Sequence, residues 1–167
     1  MIPVPHPQAA VPAIDIQVQS PLWGAQPLAE QTVRDAIAAA ATMLSTRNGE
    51  LGIVLTDDEA IRALNRQWRG IDKSTNVLSF PAGAHTNGPA MYGDIVLAYE
   101  TLSRECDAEG MNFIHHLAHL TIHGFLHLNG YDHGCDAEAD AMEELESKIM
   151  MRMNLPDPWL GREMSGA

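Results

Sequence analysis

Three histidines and the helix-ending residues between them constrain the fold of this chain more than any other feature of its sequence. His123 and His127 are four residues apart, so on a helix both rings project from one face. Asn129-Gly130 is typical of a helix end, and the chain can then turn back towards His133. Three converging neutral imidazoles suit Zn²⁺ and leave a fourth position open, as in catalytic rather than structural zinc sites.

Other histidines in the same segment leave a second pairing open. Four histidines follow one another at intervals of four residues: His115, His119, His123 and His127. Spacing alone would allow His119 and His123 to be the helical pair. The helix end favours His123 and His127, because they lie nearest to the turn that returns His133. We then expect His119 to be buried or to support a ligand, and His115 and His116 to be structural or solvent-facing.

The segment resembles the zinc-protease signature H-E-x-x-H but differs at the position of the general base. Gly124 stands where those enzymes carry glutamate, which argues against peptide hydrolysis by that mechanism. Asp132 could accept a hydrogen bond from a ligating histidine or cap the turn, and both roles stay open. Cys135 lies two residues beyond His133 and could approach the metal.

Length and composition are those of one globular domain. The chain has 167 residues, 46% hydrophobic and 19% charged, and no apolar run approaches the roughly 20 residues that span a bilayer. The first residues lack the basic start of a secretory signal, so we expect a cytoplasmic protein. Two cysteines, Cys106 and Cys135, are too few for a disulfide framework, and we expect free thiols.

Charge is distributed unevenly along the chain. The net charge of −12 disfavours non-specific attraction to nucleic acid over the whole surface. Four basic residues nevertheless lie within twelve positions: Arg62, Arg66, Arg69 and Lys73. They form either a solvated helix face or a phosphate-binding surface, for which arginine is suited by its bidentate guanidinium.

Periodicity and turn residues predict the element order β-α-β-α-β-β-α-α-α. The predicted strands cover residues 13–19, 51–55, 77–80 and 93–98, and the predicted helices 28–45, 57–68, 100–106, 112–128 and 137–153. Thr56 and Glu59 fit a capping box at the start of the second helix, and residues 82–91 resemble a loop.

We therefore expect an α+β fold with a mixed sheet of about four strands and the metal-binding helix-turn in the C-terminal half. The first β-α-β segment favours a parallel crossover, and the adjacent middle strands could pair antiparallel. The domain is predicted at residues 13–158, between a disordered proline-rich tail at 1–12 and a second tail at 159–167.

Four sequence blocks together resemble one protein family. They are LNRQWRG at 64–70, DKSTNVLSFP at 72–81, GDIV at 93–96 and HGFLHLNGYDH at 123–133. In this order they look like the YbeY family, bacterial rRNA maturation factors regarded as metal-dependent endoribonucleases. The resemblance covers about residues 50–155. Ser74 and Asn129 depart from the family's commoner proline and leucine, and neither is a proposed ligand.

The resemblance implies a small α+β fold and one zinc ion per chain, held by His123, His127 and His133. It implies that Arg69 lies near the metal cleft and contributes to activity, and we assign RNA binding to Arg62, Arg66 and Lys73. It also implies cleavage of single-stranded RNA in maturation of the 3′ end of 16S rRNA and in ribosome quality control. The implied partners are rRNA, the small ribosomal subunit and ribosome-associated proteins, with no DNA or membrane partner expected.

Several alternatives stay open at this point. The protein could be a non-catalytic ribosome-assembly factor with a structural metal, or another zinc-dependent hydrolase. A three-histidine site also accepts Ni²⁺, Cu²⁺ or Co²⁺. The nucleophile could be water or the ribose 2′-hydroxyl, and only the second route passes through a 2′,3′-cyclic phosphate. No general base is identified.

Overall fold

The computed structural model describes residues 10–83 and 90–159. Its elements follow the predicted order, with one additional short 3-10 helix at Pro21–Ala25. The strands are β1 (Ala13–Val18), β2 (Gly49–Thr56), β3 (Val77–Pro81) and β4 (Ala90–Ala98). The helices are α1 (Ala29–Leu44), α2 (Asp58–Arg69), α3 (Tyr99–Glu109), α4 (Phe113–Leu128) and α5 (Asp136–Arg152). Most of both predicted tails lies outside the described residues.

A single mixed sheet has the strand order β1-β2-β4-β3. β1 and β2 are parallel and joined through α1, and β2 also pairs parallel with β4. β3 pairs antiparallel with β4 and forms one edge of the sheet. The α+β class, the four-stranded mixed sheet, the parallel crossover and the antiparallel pair are thus confirmed.

The two faces of the sheet are covered unequally. Ile95 and Leu97 of β4 pack into the large core with α1, α4 and α5, while Val96 between them faces a smaller cluster that includes Ile61 of α2. Because side chains alternate along a strand, one strand supplies both cores. Within the described residues, no helix combines the length and apolar character needed to cross a membrane.

The start of α2 differs from the predicted capping box. The N-cap is Asp57, whose carboxylate accepts a hydrogen bond from the Ala60 N–H at 2.9 Å, and not Thr56. Thr56 is the last residue of β2 and is buried, and its carbonyl accepts the Trp23 indole N–H at 2.8 Å. Thr56 still belongs to the sheet, so the first side chain free to cap the helix is the next one.

The N-termini of α2 and α3 are tied to each other. Asp58 accepts hydrogen bonds from the main chain and hydroxyl of Thr101 at 3.1 and 2.7 Å, and from Arg104 at 2.7 Å. In return, Glu100 accepts the Asp58 N–H at 2.8 Å. Burial acts to raise the pKa of Asp58, but the bonds from Thr101 and Arg104 outweigh it and lower that pKa.

β4 is longer than predicted, because it begins at Ala90 inside the segment expected to be a loop. Its first residues pair with Gly49 and Glu50 of β2, and the register shifts after Glu50. Gly93 has a φ of 120°, and a Cβ there would lie 2.1 Å from the Phe80 carbonyl oxygen. Pairing with the neighbouring strands therefore extends β4 into a segment whose own sequence does not predict a strand. Residues 84–89 of the predicted loop lie outside the described residues.

Candidate metal centre

The C-terminal half of α4 and the turn after it bring three histidines together. His123 and His127 lie on one face of α4, which ends at Leu128. Gly130 then adopts a φ of 91°, and the chain returns to place His133 beside the other two rings. One ligand atom from each ring lies within 4.8 Å of the other two, and the Nε2 atoms of His123 and His127 are 3.1 Å apart.

A buried carboxylate supports this group from behind. Glu146 of α5 is only 1% exposed, and its Oε1 lies 2.5 Å from Nδ1 of His123. Its Oε2 lies 3.0 Å from Nε2 of His119 and accepts the Trp159 indole N–H at 2.9 Å. A carboxylate facing Nδ1 keeps the proton on that nitrogen, so Nε2 of His123 keeps its lone pair for the space shared with the other rings.

The electrostatics of the centre favour an anionic Glu146 and a neutral His127. Burial acts to raise the pKa of Glu146, but the hydrogen bonds from His119 and His123 prevail and lower it to about 2. Burial, together with His123 and His133, lowers the pKa of His127. Neutral imidazole is the form that binds a metal ion.

Close packing explains why glutamate is absent from the position after the first histidine. A Cβ on Gly124 would lie 2.9 Å from Cγ2 of Ile95 and 3.1 Å from Oγ of Ser79. The Ser79 hydroxyl also donates to the Gly124 carbonyl at 3.2 Å. α4 therefore rests directly on β3 and β4 at this point, and a larger side chain would require its neighbours to shift.

The histidines open into a cleft of about 530 Å³. One wall consists of residues from β3 and the segment before it, including Asn76, Ser79 and Pro81. Arg69, the last residue of α2, reaches the same cleft, whose lining also includes Asp132 from the turn. The cleft therefore brings together the three-histidine group, a cation and the edge of the sheet.

The other basic residues do not line this cleft. Arg62 forms a bidentate ion pair with Asp72 at 2.9 and 3.1 Å, and both side chains are more than half exposed. Arg62 and Arg66 border a separate groove on α2. The Lys73 carbonyl accepts a hydrogen bond from Asn65 at 2.9 Å. The predicted stripe is therefore divided, and of its four residues only Arg69 lines the histidine cleft.

The remaining candidates have structural contacts. Nε2 of His116 lies 3.0 Å from Glu105, which also accepts from Asn76. Asp132 accepts a hydrogen bond from the main-chain N–H of His133 at 2.8 Å. Of its two predicted roles, this contact corresponds to capping the turn. Cys135 is exposed at the N-cap of α5, outside the histidine group.

Both cysteines are free thiols, as predicted. Cys106 is buried on α3, and burial raises its pKa to about 11. A thiol with so high a pKa stays protonated at neutral pH and is therefore a poor metal ligand or nucleophile.

Glu146 is the residue of the centre that the sequence reasoning missed. It lies on the buried face of α5, four residues after Met142 and three and four residues before Ile149 and Met150. A carboxylate at an apolar position of an amphipathic helix is seldom fully buried without a partner. That pattern could have singled out Glu146, although not its histidine partners, which lie on another helix.

The donor set fits a metal ion. Three imidazoles converge, the Nδ1 atom of one of them faces a buried carboxylate, and a cleft leaves room for a further ligand. Within residues 10–83 and 90–159, no other set of three or more histidine, cysteine or acidic side chains is close enough to hold one.

Comparisons with known proteins agree with this arrangement. The family model described as Endoribonuclease YbeY matches residues 18–154. A Bradyrhizobium protein named Endoribonuclease YbeY is 50% identical over 165 residues, covering 94% of this chain and 98% of its own length. A Nitrobacter hamburgensis protein of the same name is 52% identical over 162 residues, covering 92% and 85%.

One solved structure supports the fold. The solution structure of TM1509 from Thermotoga maritima superimposes with a TM-score of 0.55 and covers 85% of this chain and 92% of its own. At 22% sequence identity, this similarity concerns the fold alone.

Proposed function

The chain belongs to the YbeY family of endoribonucleases, and from this premise we propose that it is a metal-dependent endoribonuclease that cleaves single-stranded RNA. Its proposed role is maturation of the 3′ end of 16S rRNA and ribosome quality control in the cytoplasm. The proposed partners are rRNA, the small ribosomal subunit and proteins bound to it. The family match over residues 18–154 and the identity of about one half to named endoribonucleases support this role.

The observation that carries the proposal is the convergence of His123, His127 and His133 in one cleft. We assign these residues as the ligands of one Zn²⁺ ion. The bound ion would supply Lewis acidity towards a phosphate ester. Glu146 holds the His123 ring in the orientation and tautomer that ligation requires.

Arg69 is the proposed phosphate-binding residue of the cleft. A guanidinium can donate two hydrogen bonds to phosphate oxygens and neutralise the charge that develops on them during cleavage. Arg62, Arg66 and Lys73 would then contact the RNA outside the cleft. Since the net charge is −12, binding to arbitrary RNA should be weak and should fall steeply with added salt.

The test is cleavage of a labelled small-subunit rRNA precursor by the wild-type protein, His127→Ala and His115→Ala, purified in parallel with Zn²⁺. His115 lies on the same helix but outside the metal-binding group, so it is the matched control. We expect cleavage by wild type and His115→Ala but not by His127→Ala. Equal cleavage by all three would indicate a contaminating ribonuclease, and no cleavage by any would favour a non-catalytic assembly factor.

The product ends distinguish the two possible nucleophiles. Attack by the ribose 2′-hydroxyl gives a 2′,3′-cyclic phosphate, and attack by water does not. Replacement of the 2′-hydroxyl by hydrogen at the scissile nucleotide would abolish cleavage only on the first route. Loss of Arg69 (Arg69→Ala) should slow cleavage by either route, whereas Arg69→Lys should recover part of the rate.

A further inference from the structure

A large aromatic side chain is exposed immediately beside the proposed phosphate-binding residue. Trp68 precedes Arg69 in the last turn of α2 and is 65% exposed. Its ring packs edge to face against Phe80 of β3, with centroids 6.4 Å apart and planes at 60°. Because most of the tryptophan stays uncovered, it offers an aromatic surface to solvent.

Trp68 and Phe80 border a groove of about 740 Å³ on the α2 side of the sheet. The lining is mainly apolar, with Leu64 of α2 and Val96 of β4 among its members. Its polar members are two glutamines and the carboxylate of Asp94. Such a site combines a flat apolar wall with a few hydrogen-bonding groups.

This groove and the histidine cleft share a lining residue on β3 and lie on opposite sides of that strand. Successive residues of β3 face opposite sides, so Ser79 lines the cleft and Phe80 lines the groove. Pro81 lines both. Two consecutive residues of α2 are likewise split between the two cavities, because Arg69 lines the cleft and Trp68 lines the groove.

We propose that Trp68 is a base-stacking residue, and that the groove between Trp68 and Phe80 holds a nucleobase of the RNA strand whose phosphate lies against Arg69. The inference rests on the proposed function, because the metal cleft gives the strand its position. In a nucleotide next to the cleaved bond, the phosphate and the base project in different directions. Arg69 and Trp68 are adjacent in the chain and line different cavities, so one can hold the phosphate while the other holds the base.

Stacking also explains a preference for single-stranded RNA. Bases in a duplex are already stacked and paired, and removing one from the helix requires breaking those contacts. A base in a single strand is free to lie on an aromatic ring, and any base can do so, because stacking depends on the flat face of the ring. The groove therefore favours unpaired RNA without requiring one particular base.

The experiment measures binding separately from cleavage. A fluorescein-labelled single-stranded RNA of about ten nucleotides is titrated with full-length wild type, Trp68→Ala and Trp68→Phe, and binding is followed by anisotropy. Met151→Ala is the matched control, because Met151 is 62% exposed and lies on α5, outside both grooves. A second series of RNAs carries one abasic nucleotide, moved along the strand.

Loss of one base-stacking contact should weaken binding by about 5- to 150-fold in Trp68→Ala, with a smaller effect in Trp68→Phe. Wild type should show a similar loss with the abasic nucleotide at one position, and Trp68→Ala should show no further loss there. Binding by Trp68→Ala equal to that by Met151→Ala would overturn the assignment. The assignment would also be overturned if the abasic nucleotide weakened RNA binding by Trp68→Ala as much as it weakens binding by wild type.

The outcome is independent of catalysis. If wild-type protein binds the RNA with the abasic dependence described but cleaves nothing, the stacking assignment stands and the endoribonuclease proposal fails. If cleavage is intact and Trp68→Ala binds and cleaves like Met151→Ala, the endoribonuclease proposal stands and the stacking assignment fails. The groove would then belong to a different occupant, such as a protein segment.

Discussion

Replacing Glu146 by glutamine should weaken metal binding although the substitution changes one atom of the side chain. The carboxylate accepts three hydrogen bonds in the structure, from His123 on one oxygen and from His119 and Trp159 on the other. Glutamine has one oxygen acceptor and one NH₂ donor. One of the two sites must therefore receive a donor where the native structure has an acceptor.

Both orientations of the amide are unfavourable. If the NH₂ group faces His123, it favours the tautomer with the proton on Nε2, and that nitrogen can no longer bind a metal. If the NH₂ group faces His119 and Trp159, it meets the indole N–H, and two donors oppose each other in a site that is 1% exposed. Loss of such a supporting contact typically lowers metal affinity 10- to 100-fold, or about 1.4–2.8 kcal/mol.

The assay is competition for Zn²⁺ between the protein and a chromophoric chelator. Glu144→Gln is the matched control, because Glu144 is on the same helix, is 69% exposed and forms a surface ion pair with Lys148. We expect Glu146→Gln to lose 10- to 100-fold in affinity while the control stays within twofold of wild type. Equal affinities of the two variants, with both folded by circular dichroism, would refute the supporting role of Glu146.

Three further substitutions test the packing and the electrostatics of the fold. Gly124→Ala should lower the free energy of unfolding by about 1–2 kcal/mol in urea denaturation, since its Cβ would lie 2.9 Å from Ile95. Gly24→Ala is the control, and it should leave the free energy of unfolding nearly unchanged, because its Cβ would meet nothing within 4 Å. Asp57→Ala removes the N-cap of α2 and should lower the melting temperature, with a loss of about 0.5–2 kcal/mol. Asp58 has a pKa below the 3.8 of an unperturbed aspartate, so its contribution to stability is full above that pH and is lost as the pH falls through its folded-state pKa. Asp58→Asn should therefore flatten the fall in unfolding free energy below about pH 4; an unchanged slope would contradict this assignment.

Local patterns in the sequence were sufficient for the elements and for the three histidines. The β-α-β-α-β-β-α-α-α order is confirmed, because each helix and strand has its own apolar period and its own end signals, such as Gly70 after α2. His123, His127 and His133 lie within eleven residues, so helix geometry and one turn suffice to bring them together. Contacts between residues this close in the chain can be predicted from the local sequence.

Contacts between distant segments could not be derived in the same way. Glu146 follows His123 by 23 residues and meets it only because α5 packs against α4. The first residues of β4 become a strand because β2 lies beside them, and Arg69 separates from Arg62 and Arg66 because α2 ends at the edge of the sheet. Neighbouring residues alone were therefore enough to assemble the three-histidine group. Which carboxylate supports that group and which arginine lines its cleft followed from the packing of whole elements, because the side chains concerned lie on helices that are far apart in the chain.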